Sequence, residues 1–491
     1  MKCEAGSRLS LNDLSLADTA VKLARKKNVS LLLVGGFLRD QHLGRRGRDL
    51  DFIVIPGAIA FARAFARKIK GAFILLDAQA GCARVAKKML DGLWTCDFAD
   101  LRAADLAGDI KKRDFTINTL VVDLMKVKVS QPLAPACARN ARALADIKSG
   151  IIRMTGPAAF NDDPLRLLRA FSLSAQTGFK IEGKTLAAVC ARIRLIRKVS
   201  PERVREELFK ILESPRAAVT MRALDKSGLL FTIIPQLQLM ESVPKGGYHH
   251  LNVWKHSLMV LAMFEKLIRS LSADSDLAAY LNEKIGGGHS RSALVKFACL
   301  LHDTGKPETR REIPGGRLTF HAHESVGRDI TRIICKQLMM STAERFALED
   351  MVVLHLRPGY LTNYKTAPER MVFRFMRDAK AEAASILLLS LADQRATRGP
   401  LTTEADVQHH ADIVLPLVEA FFTAKKLKPF VRLIDGNDLI RELKLKPGPG
   451  FKSILAAVDE AQHLGKITSR EQALTFAAQY DPKTRDKQVV F

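Results

Sequence analysis

The chain is short of acidic residues, with 52 Asp and Glu against 77 Lys and Arg and a formal net charge of +25. A chain this basic carries a surface for a polyanion, most often nucleic acid. It has no C-x-x-C pair. Its seven cysteines, Cys3, Cys82, Cys96, Cys137, Cys190, Cys299 and Cys335, are scattered, which argues against a disulfide framework and for reduced thiols. No apolar run is long enough to span a bilayer. The stretch from Met1 to Leu11 has no apolar segment of the kind a secretory signal needs. No fixed-period repeat and no low-complexity tract is present. The expectation is a cytoplasmic protein.

What is present is enough for several domains. The chain has 491 residues with 47% hydrophobic content, so sizeable cores are expected. Leu14 to Lys27 has helical spacing. From Leu31 to about Gly156 short strands alternate with helices, and after Gly156-Pro157 the chain reads as helical throughout. Pro164 suits a first helical turn, and Gly178 reads as a helix stop. Further breaks fall at Ser214-Pro215, Pro244 to Gly247, Gly286 to Gly288, Pro314 to Gly316 and Pro447 to Gly450. The expected fold class is multidomain, α/β followed by all-α. An α/β head with a small mixed sheet spans 1–156, a helical neck 157–243, a helical module 244–400 and a helical tail 401–491.

The richest segment runs Leu31-Leu32-Leu33-Val34-Gly35-Gly36-Phe37-Leu38-Arg39-Asp40, then Arg48-Asp49-Leu50-Asp51-Phe52-Ile53-Val54. It reads as strand, Gly-Gly turn, short helix and second strand. Asp49 and Asp51 lie two apart on that strand and so point to one face. Two carboxylates held together repel unless a cation lies between them. Hard divalent ions such as Mg²⁺ take such oxygen pairs, usually with substrate phosphates. The Gly-Gly turn lets backbone N–H groups approach a triphosphate. Asp97, in Trp94-Thr95-Cys96-Asp97-Phe98-Ala99, lies on a strand that would pair beside the first two carboxylates, to ligate a metal or activate a hydroxyl. In Gly108 to Leu120, Arg113, Asp114 and Asn118 suit phosphate and ribose, the last two sharing a face if the segment is helical.

In order, the pieces GGFLRD, RDLD, CDFADLR, RDFTINTL, NDDPLRLLRAFSLSAQTGF and PERVREELFKIL resemble the class II nucleotidyltransferases. These are the bacterial CCA-adding tRNA nucleotidyltransferases and poly(A) polymerases. The resemblance covers roughly Leu31 to Leu212, with a weaker match in LIDGNDLIRELKLKPGPGFKSILAAV. Phe37 and Thr119 depart from the usual small residues. The resemblance implies that Asp49 and Asp51 bind the catalytic metals with Asp97 as third carboxylate. It implies that Gly35, Gly36, Arg39 and Asp40 hold the triphosphate, and that Arg113, Asp114 and Asn118 contact phosphate and ribose. Asp163 and Arg166 match its base-reading motif, and Arg169 joins the nucleotide-binding set. Three apart, Asp163 and Arg166 would share one helical face. A carboxylate that accepts from an amine and a guanidinium that donates to a ring nitrogen select C and A over U and G. Arg192, Arg194, Arg197, Lys198, Arg203 and Arg205 form a basic stretch suited to an RNA backbone.

A second constellation comprises His256, His302-Asp303 and Asp393 in helical context. It resembles the HD superfamily of metal-dependent phosphohydrolases. Imidazoles with carboxylates suit a divalent metal of a type the sequence leaves open. His323 and His355 would extend the site to a second metal or a phosphate.

The expected function is untemplated addition of C and/or A from CTP and/or ATP to the 3′ end of tRNA, with Mg²⁺ in the head and release of pyrophosphate. A poly(A) polymerase and an A-only or CC-only enzyme are the same-class alternatives. An HD phosphohydrolase that binds RNA, with an inactive head, is the different-class alternative. The expected partners are tRNA or other RNA 3′ ends, with neither membrane nor obligate protein partner.

Overall fold

The computed structural model describes residues 11–127, 140–244, 251–271, 275–314, 316–399, 401–426 and 430–480. Two of the seven cysteines, Cys3 and Cys137, and the breaks at Lys245 to Gly247 lie outside these. The chain divides into two compact units. The first takes the residues up to Arg216 with Thr220–Ile233. The second takes Ala217–Val219 with the residues from Ile234 onward.

The first unit is built on a six-stranded mixed sheet. Its strands are β1 Ser30–Val34, β2 Asp49–Ile55, β3 Ala72–Asp77, β4 Cys82–Met89, β5 Gly92–Ala99 and β6 Val121–Asp123, in the order β3-β4-β5-β2-β1-β6. The β2 sequence explains why both faces are covered. Leu50, Phe52 and Val54 point one way and are buried. Phe52 stacks on Phe98 of β5 with ring centroids 5.0 Å apart. Phe61 and Phe65 of the helix Ala58–Ile69 close on the same ring at 5.3 and 5.2 Å. On the opposite face Ile53 packs with Leu32, Val34 and Val121, flanked by Leu101, Leu106 and Ile110. Asp49 and Asp51 share that second face, at the N-terminal end of β2 beyond the apolar patch. Burial on both faces sets the register, since a slip of one residue would turn the carboxylates into the aromatic core.

The helix Arg166–Thr177 ends at Gly178 in the left-handed region at φ 81°, as its sequence predicts. Pro164 does not lie in the first turn of this helix; it sits two residues before it, in the turn that separates it from Ala159–Asp162.

The second unit is mostly helical. The helix Ala383–Ala396 is buried almost all round, as its run Ile386-Leu387-Leu388-Leu389-Ser390-Leu391-Ala392 requires. Two of the glycine breaks are hairpin turns rather than helix ends: Lys284–Ile285 pairs with His289–Ser290, and Arg311–Ile313 with Arg317–Thr319. The helix Glu404–Lys426 follows the expected boundary near residue 400 but packs back on Ala383–Ala396, where Ser390 Oγ lies 3.0 Å from His410 Nε2. The tail helices Gly436–Arg441, Gly450–His463 and Arg470–Gln479 close on their own core around Leu439, Ile454 and Val458. No helix among the described residues is long and apolar enough to cross a membrane.

Candidate active site

The carboxylates meet across adjacent strands. β2 and β5 are parallel, and Asp51 stands in register with Asp97. Gly35, at φ 84°, lies so close to Asp51 that a Cβ there would sit 2.5 Å from its Oδ2. Burial pushes the Asp51 carboxyl up to about 6, and the Asp97 charge adds to the effect. Asp49 is exposed and accepts a hydrogen bond from Thr95 Oγ1. Asp97 is held through both oxygens by Arg84 of β4.

Together these strands wall a cavity of about 230 Å³. Of the residues predicted from sequence, Gly35, Gly36, Asp51, Asp97, Arg113, Asp114, Asn118, Asp163, Arg166 and Arg169 line it. Asp49, two residues from Asp51 on the same face of β2, is not among the residues that line it. Arg102 and Asp109 also line it, and sequence reasoning did not single them out. Asp109 is buried, accepts from the Arg102 N–H at 3.1 Å and holds Arg113 at 3.0 Å.

Arg39 and Asp40 do not line it. Arg39 is only 6% exposed. Its guanidinium donates to both Asp40 oxygens at 2.9 Å and to Asn118 Oδ1 at 2.6 Å. Asn118 in turn donates to both oxygens of Asp114 at 3.1 Å, and Arg169 Nε donates to Asp114 at 2.7 Å. Arg39 and Asp40 are thus joined to the Asn118–Asp114–Arg169 chain. Burial alone would raise the Asp114 carboxyl, but Arg169, the Phe115 N–H and Asn118 hold it below the usual range. The pairing of Asp114 with Asn118 does not come from an α-helix. Thr116–Asn118 is a 3₁₀ turn, which brings the amide back over the carboxylate.

Asp163 and Arg166 do not share a helical face either. Asp163 is extended, at φ −145° and ψ 101°, between two helices, and Arg166 opens the second. Arg166 is 8% exposed and donates to the carbonyls of Lys112, Ala159 and Arg113. Asp163 Oδ2 accepts from Arg203 Nη2 at 2.9 Å. Arg203 thus pairs with a residue of the cavity wall and stands apart from the rest of its basic stretch. Arg194, Arg197 and Lys198 are exposed on or beside the 3₁₀ turn Ile193–Lys198, while Arg192 is half-buried and Arg205 pairs with Glu206 at 2.9 Å.

In the second unit a buried cluster forms around Asp303. His256, His302 and Asp303 place one ligand atom each within 4.8 Å of one another, and so do Asp303, His323 and His355. Asp393 Oδ1 lies 2.8 Å from His256 Nε2 and 4.0 Å from His302 Nε2. The four residues expected as ligands converge, and His323 and His355 complete a second triad on the shared Asp303. Three imidazoles are locked alike. Nδ1 of His302, His323 and His355 faces the carbonyl three residues back, of Cys299 at 3.0 Å, Phe320 at 2.8 Å and Val352 at 2.6 Å. Each Nε2 is thereby turned inward toward the cluster, the orientation a metal ligand needs. His302 Nε2 and Asp303 Oδ1 are buried without a hydrogen-bond partner, which a cation would relieve. Burial, with His302 and His323 nearby, pushes the His355 imidazole down to about 3, so it stays neutral. Burial would raise the Asp303 carboxyl, but His302 and Lys306 hold it well below the usual range. Gly305 permits this packing, since a Cβ there would lie 2.1 Å from the His323 carbonyl oxygen.

The family model for the poly(A) polymerase head domain matches residues 31–153, that for the probable RNA- and SrmB-binding site of polymerase A matches 178–240, and that for the HD domain matches 253–398. The A-adding tRNA nucleotidyltransferase of Deinococcus radiodurans is 30% identical over 460 residues, covering 92% of this chain and 96% of that protein. The chain belongs to the tRNA nucleotidyltransferase and poly(A) polymerase family. The CC-adding tRNA nucleotidyltransferase of Geobacter sulfurreducens is 28% identical, covering 96% of each chain. Among solved structures, the Thermotoga maritima CCA-adding enzyme complexed with tRNA has the same fold, with a TM-score of 0.59 at 18% identity, covering 96% of each chain. A CCA-adding enzyme in complex with CTP superposes with a TM-score of 0.61 at 18% identity, over 95% of each chain.

This nucleotidyltransferase is accordingly a divalent-metal-dependent enzyme with an HD domain. The head residues suit such an ion: three carboxylates gather on neighbouring strands, and Asp51 is hard to ionise without a compensating charge.

Proposed function

We propose that this nucleotidyltransferase adds C and A from CTP and ATP to the 3′ end of tRNA, without a template and with release of pyrophosphate. The observation that carries this reading is one cavity that unites Asp51, Asp97 and the Gly35-Gly36 turn with Asp163 and Arg166. Mg²⁺ ions held by Asp49, Asp51 and Asp97 would neutralise phosphate charge and lower the pKa of the attacking hydroxyl. The Gly35 and Gly36 N–H groups line the approach of the triphosphate. Arg113 and Arg169 supply positive charge to the phosphates, and the Asp114–Asn118 pair presents oxygen and amide to the ribose. The reaction is proposed to take place in the cytoplasm. The test offers CTP, ATP, UTP and GTP singly to tRNAs ending before CCA and after CC, and to a generic RNA. Extension of both tRNAs supports CCA addition. Extension of one alone assigns a CC-only or A-only enzyme, and long A tracts on any RNA assign a poly(A) polymerase.

Base choice belongs to Asp163 and Arg166 in this reading. Both already have protein partners, so the incoming base exchanges with them. Its exocyclic amine takes the Asp163 oxygen that Arg203 now occupies. Asp163→Ala combined with Arg166→Ala is expected to cut discrimination against UTP and GTP by about 10- to 100-fold. Unaltered preference for CTP and ATP would place base reading elsewhere.

The exposed cations Arg194, Arg197 and Lys198 are proposed to hold the RNA backbone. Counterion release then makes binding salt-dependent. Replacing Arg194 and Arg197 together with alanine is expected to flatten the slope of log K against log salt by about one to two units. An unchanged slope would leave them as solvated surface.

The orphaned His302 and Asp303 atoms favour a second activity. The HD cluster would hold its own divalent ions and hydrolyse a phosphoester on damaged RNA ends, a 2′,3′-cyclic phosphate or a phosphate monoester, readying them for the head.

A further inference from the structure

One cation stands in the carboxylate row that no motif of the head supplies. Arg84 on β4 is directly opposite Asp97 on β5, and Asp97 is directly opposite Asp51 on β2. The three residues form a line across adjacent strands. Arg84 Nε donates to Asp97 Oδ1 at 2.7 Å and Nη2 to Oδ2 at 2.8 Å. This two-point fork fixes the plane of the carboxylate as well as its place. The strands themselves do not need the pair, because β4 and β5 are laddered from Cys82↔Ala99 to Met89↔Gly92. Asp97 stands beside Asp51 in register on the neighbouring parallel strand, and both line the same cavity. A group that orients Asp97 and offsets its charge therefore acts on the whole cluster.

We propose that Arg84 is a positioning residue for nucleotide transfer, pinning Asp97 so that its remaining lone pairs face the cation site beside Asp51, and limiting how tightly the three carboxylates hold that cation. The proposal rests on the reading that Asp49, Asp51 and Asp97 bind the metal. It separates two quantities that a merely structural ion pair would move together. Without the guanidinium, Asp97 turns freely and the site gains a net negative charge. Cation binding then tightens while turnover falls.

The test uses the full chain carrying His302→Ala and Asp303→Ala to silence both triads of the HD cluster, with Mn²⁺ binding followed by electron paramagnetic resonance and steady-state kinetics run beside it. Arg84→Gln is expected to bind Mn²⁺ about three- to tenfold more tightly. Its kcat should fall about 10- to 100-fold, with KM for the nucleotide nearly unchanged. Arg84→Lys keeps the charge and loses the fork, so its Mn²⁺ affinity should stay near that of Arg84 with only part of the kcat restored. Unchanged Mn²⁺ affinity in Arg84→Gln, or weaker binding accompanied by a lower melting temperature, would overturn the proposal. Asp51→Ala in the same background separates the two layers: if it still binds Mn²⁺ like the parent, the metal-site reading itself fails.

Discussion

Asp51→Ala is expected to lower nucleotide incorporation by at least about a thousandfold, the scale of losing a charge-stabilising group at a reacting centre. tRNA affinity and the melting temperature should change little. The side chain stands near the head of β2, close against Gly35 in the cavity wall, and removing it opens no hole in the core. Leu50, Phe52 and Val54 on the opposite face keep the strand in register. The carboxyl is also already costly to ionise, so its removal relieves the fold while disabling the site. Asp49→Ala should behave alike, since Asp49 gives up only a hydrogen bond from Thr95. Quench-flow measurement of single-nucleotide addition, with tRNA binding measured by filter retention, checks both variants. Incorporation near the parent rate in either one would remove the metal-ligand assignment.

His302→Ala combined with Asp303→Ala is expected to abolish metal binding by the HD cluster and to reduce phosphoester hydrolysis to background. Nucleotide addition should persist. Asp303 is the residue both triads share, so its loss dismantles both. The ligands all come from the second unit, whereas the residues assigned to transfer lie in the first. Both side chains are buried, and Lys306 loses its partner at 2.7 Å, so a melting curve must show that the second unit still folds. Elemental analysis after mild dialysis of the Asp49→Ala, Asp51→Ala protein isolates the HD metal. Hydrolysis of a 2′,3′-cyclic phosphate with Mn²⁺, Ni²⁺ or Mg²⁺ tests the activity. A parent cluster that holds no metal and hydrolyses nothing would make this domain a structural spacer.

Some of the site was open to reading because its signal is local. Asp49 and Asp51 follow from the two-residue period of a strand, and the Gly35-Gly36 turn from the conformational needs of a tight approach. His302-Asp303 is adjacent in sequence and lies at the end of an apolar helix. Other expectations went astray where local periodicity was carried across a break. Asp114 and Asn118 meet through a 3₁₀ turn, and Asp163 is extended where a helix seemed continuous. A proline following Asp163 disfavours helical backbone there, a signal the i,i+3 spacing hid.

The sequence by itself determined the order of an α/β head and helical modules, the pair of carboxylates on one face of β2 and the His-Asp cluster, because each is written in spacings of a few residues. Only the tertiary structure decided which partners those groups take. Arg39 reaches Asn118 across 79 positions, Arg203 reaches Asp163 across 40, and Arg84 meets Asp97 through the register of a hairpin. Strand register and helix packing select such pairs through the burial of Phe52, Phe98 and their neighbours, and no short-range pattern in the chain encodes that choice.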